Sequence, residues 1–256
     1  MDTTRYDTIQ QSGRHPTKTT DAYRFISTRE VLDAFAELGW HPTQVKEAGV
    51  RDEKNRGFQK HIVRLQNADF DRRLINVGDA VPQIVLANSH SGESSFRLFG
   101  GILEKICGNG LVIERLAEGI RIPHIGYSRW LVEAAASHLG LELPEAFRQR
   151  ERWQKIVLSL DERLAFAEAA IALRYSGKFE VEPTDLLRAR RYQQADNSLW
   201  SVLNTVQEGM MRGGIRQNRS DGSTFRSRHL RSVDDELRIN TALWRLAVEL
   251  EKALVN

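Results

Sequence analysis

Only one cysteine, Cys107, stands in the 256-residue chain. An intramolecular disulfide is therefore excluded, and no Cys/His group at ligand spacing offers the three or four donors a zinc site needs. Apolar neighbours surround Cys107, as suits a buried thiol in the reducing cytoplasm. No run approaches ~18 consecutive apolar residues, which excludes a membrane-spanning helix. Met1 to Thr20 is polar and lacks the apolar core of a secretory leader. There is no G-x-x-x-x-G-K-[ST] phosphate loop. No D-x-D or E-x-K arrangement stands in a strand context, so a metal-dependent nuclease has no carboxylate cluster to build on. Helix-turn-helix and zinc-finger patterns are also missing, and little sequence-specific reading of duplex DNA is expected. The sequence assigns no catalytic residue, no metal and no cofactor, and leaves open whether the chain is an enzyme.

What is present is an ordinary apolar fraction, 41%, enough for one large domain or two small ones. The net charge is only +3, but it is unevenly placed. Between Arg212 and Arg231 lie Arg212, Arg216, Arg219, Arg226, Arg228 and Arg231, with His229, against the single acid Asp221. That local balance of about +5 exceeds the charge of the whole chain and points to an anionic partner.

Residues 1–24 read as a flexible arm or lead-in. Residues 25–256 read as a single α+β domain. Its amino-terminal half (25–126) is an antiparallel β-sheet region with one leading helix, and its carboxy-terminal half (127–256) is helical and carries the basic loop 212–231. The leading helix spans Ser27 to Leu38, with S-x-x-E as a capping box and Gly39 as its stop. Short segments with β-branched residues follow at Thr43–Val50, Gly57–Leu65 and Val81–Leu86. Ser94 to Cys107 is a strand, or a strand running into a helix, interrupted by Gly100-Gly101. Further strands are expected at Gly110–Ile113 and Ile120–Ile125. A helix over Ser128–Leu139 is expected to stop at Gly140. A second pattern begins at Leu143-Pro144 and breaks near Ser159 to Asp161. Leu199, Trp200, Leu203, Val206 and Met210 form the stripe of a strong helix ended by Gly213-Gly214. Asp234 or Asp235 is expected to cap a last helix through Leu254.

Val81 to Ile113 holds two apolar runs, the polar turn Asn88-Ser89-His90-Ser91-Gly92 and the corner Gly108-Asn109-Gly110. Asn-Ser-His-x-Gly followed by Cys-x-Asn-Gly-Leu-Val resembles the core signature of the domain of unknown function 932 family, the phage/plasmid-like proteins of bacterial mobile elements. Ala48-Gly-Val-Arg51 with Gly57-Phe-x-Lys-His61 resembles the block before that signature. Leu199-Trp200, Asn204, Gln207-Glu208 and Arg212-Gly213-Gly214 are similar to the family's LW, N and QE block, and Asn240 with Leu243-Trp244 to its closing N-x-x-LW. The likeness spans roughly residues 14 to 250. Ser91 departs from it, standing where an aspartate is common, so the turn offers no carboxylate to a metal. The resemblance implies a mobile-element setting.

Two groups of residues are candidates for function. His61, Asn88, His90, Asn109, Asn204, Gln207 and Glu208 could line a polar pocket. Set against this, Asn and Ser are frequent turn formers, a tight turn explains Gly108-Asn109-Gly110, and Asn204 with Gln207 and Glu208 fits a buried network that fixes helix packing. A Ser89–His90 nucleophile pair is disfavoured because adjacent strand residues point to opposite faces. Cys107 paired with His61 or His90 is disfavoured by apolar surroundings, which raise a thiol pKa. The arginines of 212–231 are the stronger signal, since guanidinium groups pair bidentately with phosphate. Their bland alternative is a solvated loop, or pairing with Glu180, Glu182 or Asp185. Lys60, Arg64, Arg72, Arg73 and Arg97 could extend the basic surface. Phe58, Phe96 and Phe99 could stack bases of a single strand or equally belong to the core. The leading expectation is a cytoplasmic, non-catalytic nucleic-acid-binding protein of a mobile element, favouring single strands. The rivals are an enzyme acting on nucleic acid or nucleotides, and an inhibitor that binds a host protein.

Overall fold

Ser27 begins the first long helix in the computed structural model of the chain, its side chain accepting from the Glu30 N–H. The structure describes residues 1–67, 80–104, 109–112, 120–122, 124, 129–175, 179–190 and 196–255. The fold is α+β, with an antiparallel sheet in the amino-terminal half and helices in the carboxy-terminal half. The chain forms two compact units, residues 1–103 with 115–144, and residues 104–114 with 145–256.

In the first unit a short helix α1 (Asp7–Gln10) and helix α2 (Thr28–Glu37) precede strand β1 (Trp40–Glu47). Strands β2 (His61–Asn67), β3 (Ala80–Asn88) and β4 (Phe96–Glu104) continue the sheet in that order, and β6 (Ile120–Ile122) pairs with β4. β1 runs antiparallel to β2 with Glu47 opposite His61, and β2 antiparallel to β3 with His61 opposite Asn88. His61 to Leu65 are all buried, as expected of a central strand covered on both faces. β4 passes straight through Gly100-Gly101, so the glycine pair does not interrupt it. It buries Phe96, Leu98, Phe99 and Ile102, which places Phe96 and Phe99 in the core. Cys107, Gly108, Arg72 and Arg73 lie outside the described residues.

The change from strand to helix near residue 127 does not mark the edge of a unit. Strand β5 (Asn109–Val112) belongs to the second unit, and helix α3 (Arg129–Lys155) belongs to the first as far as Pro144. α3 is one helix, where a stop at Gly140 is expected from the sequence. It continues through Pro144 although proline forfeits a backbone hydrogen bond. The expected break near Ser159 is present: α4 (Leu160–Arg174) starts there with a full capping box between Ser159 and Glu162.

The second unit is built around α6 (Leu199–Arg212), buried from Leu199 to Met210. A helix buried on all sides needs neighbours all round; here they are α4, the short α5 (Pro183–Leu186), α7 (Val233–Val255) and β5. Trp153, Trp200 and Trp244 meet in its core, the Trp153 and Trp244 rings 4.6 Å apart. Trp153 Nε1 donates to Glu251 Oε2 at 2.8 Å. The cap of α7 is Ser232, whose hydroxyl accepts from the Asp235 N–H; Asp234 and Asp235 lie inside the first turn, where carboxylates offset the helix dipole.

Candidate nucleic-acid interface

The arginine segment is not a plain loop. Gly213 ends α6 at φ 73° and ψ −153°, a region open essentially to glycine alone. A Cβ there would meet the Arg228 backbone at 2.5 Å. That close approach lets the chain fold into a two-stranded antiparallel ribbon, β7 (Arg216–Asn218) and β8 (Thr224–Arg226). Its turn is held by Ser223 N–H donating to Asp221 Oδ1 and by Gly222 at φ 80°. Arg216 stands opposite Arg226, Gln217 opposite Phe225, and Asn218 opposite Thr224.

Arg212, Arg216, Arg219, Arg226, Arg228 and Arg231 are all exposed. Arg212 forms an ion pair with Glu208 at 3.2 Å. Among the described residues the other five make no ion pair, and Glu180, Glu182 and Asp185 do not hold them. Glu180 joins the Asn218 backbone instead, and Asp185 lies 3.8 Å from Arg188. Several guanidinium groups brace the ribbon base by donating to main-chain carbonyls: Arg226 to Gly214 at 2.9 Å, Arg174 to Arg228 at 2.5 Å, and Arg190 to Gly213.

Two clefts flank the ribbon. One, about 550 Å³, is walled by Arg188, Arg190, Arg216 and Arg226, with Asp185 as its acid. The other, about 440 Å³, is lined by Arg174, Arg219, Arg226 and Arg228 together with Tyr175, Phe179, Phe225 and Gln217. Sequence reading missed Arg174 and Phe179, which carry no local signal; the run Arg188-Ala-Arg190 was visible, but its approach to the ribbon depends on α5 packing against α6.

The candidate pocket residues are divided between the two units. In the first unit Asn88 Nδ2 donates to Ile26 O and to Thr28 Oγ1, both at 3.0 Å. The Thr28 hydroxyl in turn meets His61 Nε2 at 2.8 Å. His61 Nδ1 donates to Gln59 O at 3.0 Å, and His90 Nε2 to Thr8 O at 2.8 Å. Burial, with His90 nearby, pushes the His61 pKa down to about 3. Burial likewise lowers His90 to about 4. Both rings are therefore neutral near pH 7, and the donors and acceptors form one chain: Asn88 to Thr28 to His61 to Gln59. Ser89 Oγ lies 2.9 Å from Ser91 Oγ, and the His90 ring is bonded to Thr8. The backbone adds His90 N–H to Phe58 O and His15 N–H to His90 O. The cluster thus ties α1, the lead-in and α2 to the ends of β2 and β3. Thr28, its hub, had no distinguishing mark in the sequence. Lys60, Arg64 and Arg97 also belong to this unit, and Arg64 is buried.

In the second unit Gln207 Nε2 donates to Asn240 Oδ1 at 2.9 Å, joining α6 to α7. Asn240 Nδ2 donates to Glu236 O, and Asn204 Nδ2 to Trp200 O, both at 2.8 Å. Asn204, Gln207 and Glu208 are each buried. Asn109 and Gly110 open β5 where a turn is expected from the sequence. Among the described residues no group of three His, Cys, Asp or Glu side chains could hold a metal. No described helix is long and apolar enough to cross a membrane.

The model of the family described as "Domain of unknown function (DUF932)" matches residues 17–244. The chain belongs to this family. It is similar to the UPF0380 proteins YfjQ and YafZ of Escherichia coli (strain K12), each 31% identical over 232 residues, covering 90% of this chain and 83% of the relative. No solved structure matches. The stretches that carry the likeness meet in pairs in this member of the DUF932 family. Gly57-Phe-x-Lys-His61 lies against Asn88-Ser-His90 in the first unit. Leu199-Trp200 with Gln207 lies against Asn240 and Trp244 in the second.

Proposed function

We propose that this DUF932 protein binds nucleic acid through the β7–β8 ribbon, without catalysing a reaction on it. The single observation that carries the reading is the display of five exposed arginines that form no ion pair among the described residues, two of them directly opposed across the ribbon. Like charges at opposed positions destabilise a strand pair, and a polyanion removes that cost. The two clefts bring Arg174, Arg188 and Arg190 to the same surface. The resemblance to phage/plasmid-like proteins supports a cytoplasmic mobile-element setting, in replication, recombination or evasion of host defence. An enzymatic role has less support: His61 and His90 are buried and bonded within the fold, and Glu208 pairs with Arg212.

The test is binding of a fluorescent single strand and a duplex across a salt series, beside the variant R216A/R219A/R226A/R228A. Contact with ~6 phosphates gives a log–log salt slope of about −4 to −5, and the variant reduces its magnitude by about 3. No binding of either form at low salt, with the variant indistinguishable from the parent, overturns the proposal.

A further inference from the structure

The cleft of about 440 Å³ beside β8 differs in chemistry from its neighbour. It combines cations with aromatic rings and one amide. The register explains the combination. Gln217 and Phe225 are cross-strand partners, so their side chains share one face of the ribbon. The Phe225 ring meets the edge of Phe179 at 4.8 Å between centroids and carries the Arg219 guanidinium 4.6 Å above its centre. Bases stack on rings and on guanidinium planes alike.

Gln217 is the decisive residue. It is only 5% exposed and lines the cleft beside Phe225. On the neighbouring positions the polar groups are engaged: Ser227 Oγ accepts from the Ile215 N–H at 3.1 Å and lies 3.3 Å from Tyr175 Oη. An amide with a donor and an acceptor side by side matches a base edge of the same kind, and adenine is the base glutamine pairs with bidentately. Such an edge is reached beside stacking rings only when the base is unpaired.

We infer that this cleft is a base-reading site for an unpaired nucleotide of a single strand. Gln217 hydrogen-bonds the base edge, Phe225 and Arg219 supply the stacking surface, and Arg228 and Arg226 hold the flanking phosphates. The inference rests on the reading of the ribbon as a nucleic-acid contact and adds the strand type and the recognition chemistry.

The experiment compares the full chain with Q217L and F225L on fluorescent oligo-dA, oligo-dT and a duplex at one low salt concentration. Thermal unfolding of each variant controls for folding, and Q217E serves as a second variant should Q217L unfold. The parent is expected to prefer oligo-dA to oligo-dT by about tenfold, within the discrimination a bidentate pair provides. Q217L should bind both oligonucleotides equally while keeping salt-sensitive binding, and F225L should weaken single strands more than duplex. Free AMP should compete only weakly. The inference is overturned if the parent binds oligo-dA, oligo-dT and duplex alike, if folded Q217L (or Q217E in its place) keeps the preference, or if AMP binds as tightly as the strand. In the first two cases arginine-dependent binding persists, so the failure is separable from failure of the ribbon reading, in which nothing binds.

Discussion

Arg216 faces Arg226 across the β7–β8 ribbon, two cations in directly opposed positions. Folding alone does not favour such a pair. Replacing Arg216 by glutamate converts a repulsive cross-strand contact into an attractive one. Stability is expected to rise by about 0.2–1 kcal/mol at low salt, with less in high salt because the site is exposed. Strand binding is expected to fall in the same variant. Urea unfolding and binding isotherms measured together check this, and a variant that loses stability and binding in parallel contradicts it.

Gly213 and Gly222 both have positive φ, at 73° and 80°, but only Gly213 is crowded by backbone. Gly213→Ala forces Cβ against Arg228 and Ser227 and should cost well over the ~1–3 kcal/mol of backbone strain alone. Gly222→Ala meets nothing within 4 Å and should cost about 1 kcal/mol. Thermal denaturation of the two variants, with binding as a second readout, tests the order. Equal effects would mean that the cradle at Gly213 is not what fixes the ribbon.

The buried histidines make a pH prediction with a definite sign. Folded His61 and His90 titrate at about 3 and about 4, whereas unfolded histidine titrates near 6.5. Between those values the unfolded chain holds more protons, so stability is present above pH ~6.5 and is lost as pH falls toward the folded values. Each histidine contributes a slope approaching about 1.4 kcal/mol per pH unit. Urea midpoints at pH 7.5 and pH 5 should fall accordingly, and less steeply in His61→Asn. Identical slopes in parent and variant would show that His61 is not the titrating group.

Thr28→Val keeps the side-chain shape and removes one hydroxyl. That hydroxyl accepts from Asn88 and donates to His61, so two buried groups lose a partner at once. A cost of about 2–4 kcal/mol is expected from ~1–3 per orphaned group. Limited proteolysis should show earlier cleavage within the lead-in, which the cluster anchors through Thr8 and His15. An unchanged melting point and cleavage pattern would refute the hub role.

Elements with a local signature were readable in the sequence. Ser27 with Glu30 and Ser159 with Glu162 mark real helix starts, and the stripe from Leu199 to Met210 is a real helix. Signals that tertiary packing can override misled. Gly140 and Pro144 suggested a stop, yet α3 runs through both; Gly100-Gly101 suggested an interruption, yet β4 continues. The arginines were visible as a charge excess, but the ribbon depends on a close backbone approach at Gly213 that no pattern announces. Gln217 was silent for a similar reason: its place beside Phe225 is a matter of register, which three-residue strands are too short to reveal through alternation.

The tryptophan trio has a spectroscopic consequence. Trp153, Trp200 and Trp244 are buried within energy-transfer range of one another, while the first unit holds the buried Trp40 and Trp130, which is 65% exposed. Exciton coupling among the three indoles of the second unit should therefore appear in near-ultraviolet dichroism. Melting of the ribbon-bearing unit can then be followed by light alone, without a label on the arginine surface.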